Sequence, residues 1–252
     1  MIVQDLLWGK GPLLHVHKGE ARSWQVMNEV LLFIADHTGE GSRTLETGAG
    51  VTTLLFAMNR CVHTCVAPLA DEIQRIRDYA RERDLGLDTV TFEIDRSERV
   101  LPRLRADPLD MVLLDGSHGF PVPLIDWYYT ADRLKVGGLL VLDDTQLWSV
   151  HILKQFLLLE PEWQIERDFW PRSAVFRKTK PGTCAKNEFA QLFVVKQTID
   201  LLYPDHIEMI RPYVPKDLMA DRERQRSIGG LKSIERARAF AKRVFRYLER
   251  KL

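Results

Sequence analysis

The sequence predicts a doubly wound α/β fold in which helices cover both faces of a mostly parallel sheet. From residue 42 onward, short apolar runs alternate with longer amphipathic segments, as is typical of repeated strand-helix-strand units. The first of these strands runs into Glu46-Thr47-Gly48-Ala49-Gly50 and then into a helical pattern. Ligands of this fold class bind at the carboxyl ends of the strands, so the functional site is expected there.

The composition fits one large domain, or one domain with extensions, since the 252 residues are 45% hydrophobic with a formal net charge of +1. The first residues lack the basic start and apolar run of a secretory leader, and the apolar runs are too short to span a bilayer. Three cysteines, an odd number, argue against a disulfide framework. These features predict a cytoplasmic protein without an integral membrane segment.

Residues 1–40 are predicted to form an N-terminal helical segment that covers part of the site as a lid. A glycine-rich turn at residues 9–12 precedes apolar residues that recur at helical spacing over residues 26–34. Three polar residues of this segment would then face a substrate, or simply lie exposed near a terminus: His15, His17 and Lys18.

Six strands and two of the helices between them are predicted from the hydrophobic pattern. The strands cover residues 44–46, 62–66, 89–93, 111–115, 139–143 and 174–177. The helices cover residues 71–83, with a charged face, and 121–134, which Gly137 and Gly138 terminate.

Cys61, His63 and Cys65 suggest a metal site at first sight. They alternate with Val62, Thr64 and Val66, however, and no second pair of cysteines or histidines follows at the spacing of a zinc site. Alternation is typical of a strand, so these three side chains are predicted to be buried strand residues.

Acidic residues follow four of the predicted strands, namely Glu46, Asp95, Asp115, Asp143 and Asp144. Any one of them could simply be a helix N-cap. Together, at one edge of a parallel sheet, they would repel one another unless a cation, a cationic ligand or hydrogen-bond donors lay between them. The edge is therefore predicted to be a binding site.

Over roughly residues 41–180 the sequence resembles the class I S-adenosylmethionine-dependent methyltransferases. The resemblance rests on the order of four motifs: Glu46-Thr47-Gly48-Ala49-Gly50, Ile94-Asp95, Asp115-Gly116-Ser117-His118, and the run from Gly137 to Asp144 that ends in two aspartates. It implies a Rossmann-like fold, and residues 163–177 look like its closing antiparallel hairpin.

The resemblance also implies a cofactor site. Gly48 and Gly50 would let the amino acid end of S-adenosylmethionine lie against the backbone, Glu46 and Thr52 would help to hold it, and Asp95 would accept from the adenine amino group. Asp115 would complete the set. Family members usually end the second strand with an acidic residue that binds the ribose hydroxyls, whereas this chain has Val66-Ala67-Pro68. Asp71 or Glu72 could substitute for it.

Within this superfamily, the Asp-Gly-x-His motif and the later Asp-Asp pair resemble small-molecule O-methyltransferases that use a divalent metal, including catechol-type and antibiotic-sugar enzymes. The resemblance implies a Mg²⁺ ion held by Asp115, Asp143 and Asp144. Such an ion would orient vicinal hydroxyls and lower their pKa.

His118 is the predicted general base, because histidine ordinarily titrates at about pH 6.5 and this residue follows Asp115 closely. His118 could instead only cap the loop, and Lys135 is a competing base. Asp115, His118 and Asp144 thus form the predicted catalytic set. Among the aromatic residues near the strand ends, Trp148 is predicted to line the acceptor pocket.

Residues 181–252 are predicted to form a C-terminal helical extension. Residues 189–203 fit one helix, and residues 216–252 hold twelve basic against five acidic residues. Its basic amphipathic helix could dock on the domain, form a homo-oligomer interface or lie on an anionic surface. No nucleic-acid motif accompanies it.

The leading interpretation is a methyltransferase that acts on a small hydroxylated metabolite with metal assistance. The alternatives are a metal-independent methyltransferase and a catalytically silent cofactor-binding or scaffold protein that acts through the basic C-terminal helix.

Overall fold

The computed structural model describes residues 12–105, 107–181 and 191–199. The chain divides into two compact units, Met1–Ala185 and Lys186–Leu252. The predicted boundaries at residues 40 and 180 stay predictions. The predicted basic amphipathic helix at residues 216–252 lies outside the described residues, as do residues 9–11 of the predicted turn.

The first unit contains nine described strands: β1 (His15–His17), β2 (Glu20–Arg22), β3 (Arg43–Thr47), β4 (Val62–Val66), β5 (Val90–Glu93), β6 (Leu109–Leu114), β7 (Leu134–Leu142), β8 (Trp163–Phe169) and β9 (Ser173–Lys178). Its described helices are α1 (Asn28–His37), α2 (Val51–Met58), α3 (Ala70–Arg81), α4 (Ser97–Val100), α5 (Val122–Ala131) and α6 (Trp148–Leu159), with a 3₁₀ turn at Leu101–Arg103. In the second unit, α7 covers Leu192–Ile199, within the predicted helix at 189–203.

Seven strands form one sheet in the order β5-β4-β3-β6-β7-β9-β8. The first five strands in this order run parallel to their neighbours, whereas β9 is antiparallel to both β7 and β8. The doubly wound, Rossmann-like prediction and its closing antiparallel hairpin are therefore confirmed. Because β3 lies between β4 and β6, its carboxyl end is central in the row of strand ends.

The two faces of the sheet belong to two separate apolar clusters. On one face, α1 and α2 pack against Met111, Leu113 and Val141. On the other, Trp127 and Leu153 from α5 and α6 pack against the alternate residues of the same strands. Strands β6 and β7 are thus buried on both sides, which explains their nearly continuous apolar sequences.

Strand β7 begins earlier than predicted. Residues 121–134 were expected to be helical, but α5 ends at Ala131 and the strand starts at Leu134. Leu134 pairs with Leu109, and a register shift then brings Leu139 opposite Met111. Gly137 adopts a left-handed φ of 86° within this irregular stretch. The glycine pair therefore bends a strand and does not end a helix.

The N-terminal segment contains a two-stranded antiparallel sheet, β1 with β2, that the sequence did not predict. Both strands have three residues, and their side chains are mostly exposed, so no apolar alternation marks them. The predicted helix follows as α1, with Val30, Leu31 and Ile34 buried. No helix among the described residues is long and apolar enough to cross a membrane.

Candidate active site

A cleft of about 700 Å³ opens at the carboxyl ends of the central strands. It is lined by residues 47–52, 66–68, 96–98 and 115–118, together with side chains from other elements, among them His15, Trp24, Glu72, Asp144 and Arg172. We call the part at the ends of β3, β4 and β5 the glycine-loop half, and the part at the ends of β6 and β7 with Arg172 the carboxylate half.

Gly48 brings the glycine loop close to the next strand. Its φ is +93°, and a Cβ atom at this position would lie 2.3 Å from the backbone oxygen of Asp115. Both the left-handed backbone and the close approach exclude a side chain. Residue 48 must therefore be glycine, as the sequence predicted.

Gly50 is small for a different reason. Its φ of 174° is extended backbone that other residues also adopt, but a Cβ atom would lie 3.3 Å from Nε2 of His15. The Gly50 amide donates to Thr53 Oγ1 at 3.0 Å, which fixes the start of α2. A side chain at residue 50 would thus crowd His15 of the N-terminal hairpin.

Glu46 lies beneath the loop and does not line the cleft, since it is only 1% exposed. Its carboxylate accepts from Thr52 Oγ1 at 2.6 Å and from Thr53 Oγ1. His63 Nε2 lies 3.1 Å away, and Nδ1 of the same ring is 2.8 Å from Thr44 Oγ1. Glu46 therefore connects β3, α2 and β4, whereas Thr52 lies in the cleft wall.

His63 completes the prediction for β4. Cys61, His63 and Cys65 are all buried, and both cysteines are free thiols. Burial raises the pKa of the Cys65 thiol well above its usual value, and the nearby Glu46 carboxylate raises it further. His63 and Cys65 are buried strand residues, as predicted, whereas Cys61 is buried but lies just before β4.

Asp95 is placed at the mouth of the cleft, outside its lining. Its carboxylate accepts from the Arg96 amide at 2.8 Å and lies 3.7 Å and 3.8 Å from the guanidinium groups of Arg99 and Arg103. The next residues, Arg96 to Glu98, do line the cleft. The loop after β5 is thus at the site, while the Asp95 side chain is turned toward neighbouring arginines.

Glu72 lines the cleft from the first turn of α3, and the exposed Asp71 does not. The Glu72 Oε1 atom lies 3.2 Å from Nδ1 of His15, and both side chains are 12% exposed. His15 belongs to β1, so this contact joins the N-terminal hairpin to the domain. Of the two candidates for the missing acidic residue, only Glu72 reaches the cleft.

In the carboxylate half, Asp115, His118 and Asp144 come together. One ligand atom from each lies within 4.8 Å of the others, and this is the metal-compatible group found among the described residues. His118 Nε2 is 3.0 Å from Asp144 Oδ2. The three predicted catalytic residues therefore share one place.

Asp143 does not join them. Its side chain is fully buried and accepts from Ser173 Oγ and, at 3.1 Å, from Arg172 Nη2. The Arg172 Nε atom donates to Asp144 Oδ1 at 3.0 Å. A guanidinium from the turn between β8 and β9 thus bridges the two adjacent carboxylates.

The electrostatic effects differ within this cluster. Burial and the neighbouring carboxylates of Asp143 and Asp144 raise the pKa of Asp115 well above its usual range. The contact with His118, with further bonds from Gln146 and Arg172, holds the pKa of Asp144 well below its usual range. At neutral pH, Asp144 is therefore the ionised partner of His118.

The backbone around His118 and Asp144 is held by local contacts. Asp144 has a left-handed φ of 54°, a conformation that costs a residue with a side chain about 1 kcal/mol. Ser149 Oγ of α6 donates to the His118 carbonyl. The amide of Leu147 donates to the Asp144 carbonyl at 2.9 Å. The loop after β7 and the loop after β6 are therefore tied to each other.

Two predicted residues lie elsewhere. Lys135 is at the amino end of β7, the opposite edge of the sheet from Asp144, and binds Asp110 at 2.7 Å. Trp148 is 85% exposed and is not part of the cleft lining. Sequence reasoning missed Arg172, because an arginine in a hairpin turn carries no motif.

Comparison with known proteins gives the family of the central segment. Residues 45–145 match the family model described as a methyltransferase domain. This confirms the resemblance to class I S-adenosylmethionine-dependent methyltransferases over that segment. No protein of curated function matches the chain.

Solved structures share the fold at low sequence identity. Cofactor-bound Rv0187 from MTB is 16% identical with a TM-score of 0.54, over 71% of this chain and 95% of that one. A protein from Corynebacterium glutamicum is 19% identical with a TM-score of 0.51, over 60% and 80%. A putative rRNA-methylase from Clostridium thermocellum is 16% identical with a TM-score of 0.51, over 61% and 96%. These likenesses show the class I methyltransferase fold.

Proposed function

We propose that the protein transfers the methyl group of S-adenosylmethionine to a hydroxyl of a small metabolite. One observation carries this proposal: a single cleft holds both the glycine loop of a methyltransferase domain and the group formed by Asp115, His118 and Asp144. Low-identity likeness to an rRNA-methylase concerns the fold alone, so the acceptor class rests on the side chains of the carboxylate half.

The glycine-loop half would bind the cofactor. Gly48 and Gly50 line the cleft without side chains, and Thr52 contributes a hydroxyl to the wall. Glu46 supports the loop from below through Thr52 and Thr53. S-adenosylmethionine, when bound, supplies an electrophilic methyl group on a sulfonium.

The carboxylate half would place and deprotonate the acceptor. Methyl transfer is an in-line displacement, so the nucleophilic oxygen must be held in one orientation. In this proposal His118 accepts the hydroxyl proton at a ring nitrogen, and Asp144 stabilises the resulting imidazolium from 3.0 Å. Arg172 fixes Asp144 on its other oxygen.

A divalent ion fits the donor set in part. Asp115, His118 and Asp144 would hold it, since their ligand atoms are close enough together. Two carboxylates with an imidazole suit ions that accept nitrogen better than they suit Mg²⁺, which prefers oxygen. Such an ion would orient vicinal hydroxyls and lower their pKa.

A specific observation favours the metal-independent alternative. Arg172 donates to Asp144 Oδ1 while His118 lies next to Oδ2, so both oxygens of this carboxylate already have cationic or hydrogen-bonding neighbours. A resident guanidinium also lowers the affinity of the cluster for a second cation. We propose metal assistance and metal-free transfer as alternatives at the same residues.

The test is calorimetric titration of the purified full-length protein with S-adenosylmethionine and S-adenosylhomocysteine, with Mg²⁺ or Mn²⁺ present and again in excess chelator. We expect micromolar binding of both compounds. Methylation of a panel of catechols and vicinal-diol sugars is then measured under the same two conditions.

The effect of the chelator distinguishes the metal-assisted from the metal-free reaction. Turnover that persists in chelator supports the metal-free reaction with His118, whereas turnover lost in chelator and restored by the ion supports metal assistance. Absence of cofactor binding in both conditions would overturn the proposed activity and favour the silent scaffold.

The remaining partner and location predictions belong to this proposal as well. We propose a small-molecule acceptor, no nucleic-acid substrate, a cytoplasmic location and a homo-oligomer formed through the C-terminal helix. Light scattering of the full chain against a chain truncated before residue 216 tests the last of these.

A further inference from the structure

We propose that the edge of the sheet around the carboxylate half docks on a lipid surface without net charge. Three aromatic side chains would enter that surface, and we call them the aromatic rim: Phe120, Trp148 and Trp170. This inference goes beyond the proposed function and holds independently of methyl transfer, because it concerns side chains outside the cleft lining.

The aromatic rim is distinguished by its exposure. Trp148 is 85% exposed, Trp170 82% and Phe120 72%, and these are the three most exposed large apolar side chains among the described residues. Single exposed apolar residues are common on protein surfaces, whereas a group of them at one place marks an interaction site. Their grouping is therefore the observation that carries the inference.

All three rings belong to the same edge of the sheet. Phe120 lies in the loop after β6, Trp148 begins α6 after the loop that follows β7, and Trp170 lies in the turn between β8 and β9. Strands β6 and β7 are parallel, and Leu142 at the end of β7 pairs with Ala174 near the start of β9. The three loops therefore meet where the carboxylate half opens.

Hydrogen bonds join these loops to one another. Ser149 Oγ, next to Trp148, donates to the carbonyl of His118. The amide of Thr145 donates to the carbonyl of Arg172 at 2.7 Å. The rings are thus carried by connected backbone, as a surface that buries them together requires.

The residues around the rings indicate the chemistry of the partner. Residues 119–122 are Gly-Phe-Pro-Val, residues 147–150 are Leu-Trp-Ser-Val and residues 169–171 are Phe-Trp-Pro. These segments carry no charged side chain, so they do not attract the phosphates of a nucleic acid or of an anionic lipid. Apart from the indole N–H groups and Ser149, which already bonds His118, they offer no side-chain hydrogen bonds. A specific protein interface makes about one hydrogen bond per 100–200 Å².

The shape of the rim favours a lipid surface over a soluble ligand. Sites for small molecules are concave and enclose most of the ligand, whereas side chains as exposed as these project from the protein. A projecting ring is buried when it enters a deformable apolar phase. Tryptophan and phenylalanine are residues that proteins place at the boundary between water and lipid. We therefore assign the rim to a peripheral contact in which the rings enter the lipid.

The test is flotation of the purified full-length protein with phosphatidylcholine vesicles at low and at high salt. The wild type should bind under both conditions, because salt screens charges and does not weaken apolar insertion. Trp148→Ser and Trp170→Ser should each weaken binding by about tenfold. Val136→Ser is the matched control, since Val136 is exposed and apolar but lies near the amino end of β7, and this variant should bind as the wild type does.

Fluorescence locates the contact. Brominated phosphatidylcholine quenches indole groups that enter the lipid, so it should quench the wild type. A double variant, Trp148→Phe with Trp170→Phe, should keep most of the binding, because the apolar rings remain, and lose most of the quenching. The urea midpoints of the serine variants without vesicles should equal that of the wild type, which excludes a general effect on folding.

Failure of the wild type to bind these vesicles would overturn the inference, as would equal binding by the wild type and both serine variants. Binding that requires anionic lipid and disappears at high salt would belong to basic residues and would overturn it too. So would self-association without vesicles, measured by light scattering, that the serine variants abolish, because the rim would then bind protein. Cofactor binding is measured separately, so failure of the proposed function leaves this test intact.

Discussion

The two halves of the cleft use their acidic residues in opposite ways. In the glycine-loop half, Glu46 is buried under the loop and its neighbours are two threonines and a histidine. In the carboxylate half, Asp143 and Asp144 share a guanidinium, and Asp144 also meets His118. One half stabilises a backbone shape, whereas the other keeps an ionised carboxylate, that of Asp144, at the cleft surface.

This difference indicates which kind of substitution should affect each half of the cleft. The glycine-loop half should respond to changes of backbone space, because its wall is a loop that approaches Asp115 closely. The carboxylate half should respond to changes of charge that leave shape intact. A further buried carboxylate, Asp126 in α5, belongs to neither half, and burial is the largest influence on its pKa.

The largest effect is expected at Gly48. Gly48→Ala places a Cβ atom 2.3 Å from the Asp115 backbone oxygen in a left-handed conformation. We expect a loss of at least about 4 kcal/mol in the free energy of unfolding, since strain and overpacking combine. Urea denaturation measures it.

Gly137→Ala is the matched control. Gly137 has nearly the same φ, +86°, but nothing lies within 4 Å of its Cβ position. It should cost only about 1 kcal/mol. Equal losses in both variants would mean that the close approach to Asp115 does not matter, and the description of this half would be wrong.

A smaller effect, confined to turnover, is expected at Asp144. Asp144→Asn removes the charge beside His118 but keeps the shape, and asparagine tolerates the left-handed backbone. Turnover should fall by about a hundredfold, while the affinity for S-adenosylhomocysteine stays within about twofold. Steady-state rates and calorimetry give the two values.

Asp143→Asn is the comparison within the same half. Asp143 is fully buried and does not reach the cleft surface, so its variant should lower the free energy of unfolding by about 3 kcal/mol, because Arg172 loses a buried partner. If this variant instead left stability intact and abolished turnover, Asp143 would have to be moved into the reacting group.

The smallest effect concerns Asp126 and depends on pH. Burial raises the pKa of Asp126 to about 6, although Ser97 and Thr47 offset the rise in part. The folded protein therefore holds this proton up to a higher pH than the unfolded chain, and stability falls as pH rises from about 4 to about 6. Such a pKa difference corresponds to at most about 3 kcal/mol.

Asp126→Asn mimics the neutral form and should be more stable than the wild type by about 1 to 3 kcal/mol at pH 8. The gain should shrink below pH 4. Urea denaturation at both pH values measures it, with the exposed Asp71→Asn as control. A constant difference at every pH would show that the charge of Asp126 is not what destabilises the protein.

Much of the fold and part of the site could be predicted from the sequence. The strand pattern and Gly48 were predictable because parallel strands buried on both faces are apolar runs, and a loop that touches its neighbour needs glycine. Asp115, His118 and Asp144 followed from strand ends that share one edge of the sheet.

The rest depends on contacts between distant parts of the chain. Glu46 and Asp143 belong to the same motifs as residues that line the cleft, but burial and partners such as His63 and Ser173 set their orientation. Arg172 lies 28 residues beyond Asp144 along the chain, in a turn whose place against β7 only the antiparallel pairing determines. Local sequence does not contain that information.

The N-terminal hairpin has a consequence for how this protein is divided into parts. The segment that matches the methyltransferase family runs from residue 45 to residue 145, yet His15 and Arg172 line the cleft from outside it. A fragment limited to residues 45–145 would keep the glycine loop and the strand ends but lose the parts of the cleft lining that His15 and Arg172 provide. Substitutions outside residues 45–145 can therefore change which ligands the cleft accepts, although the match to the family does not cover these residues.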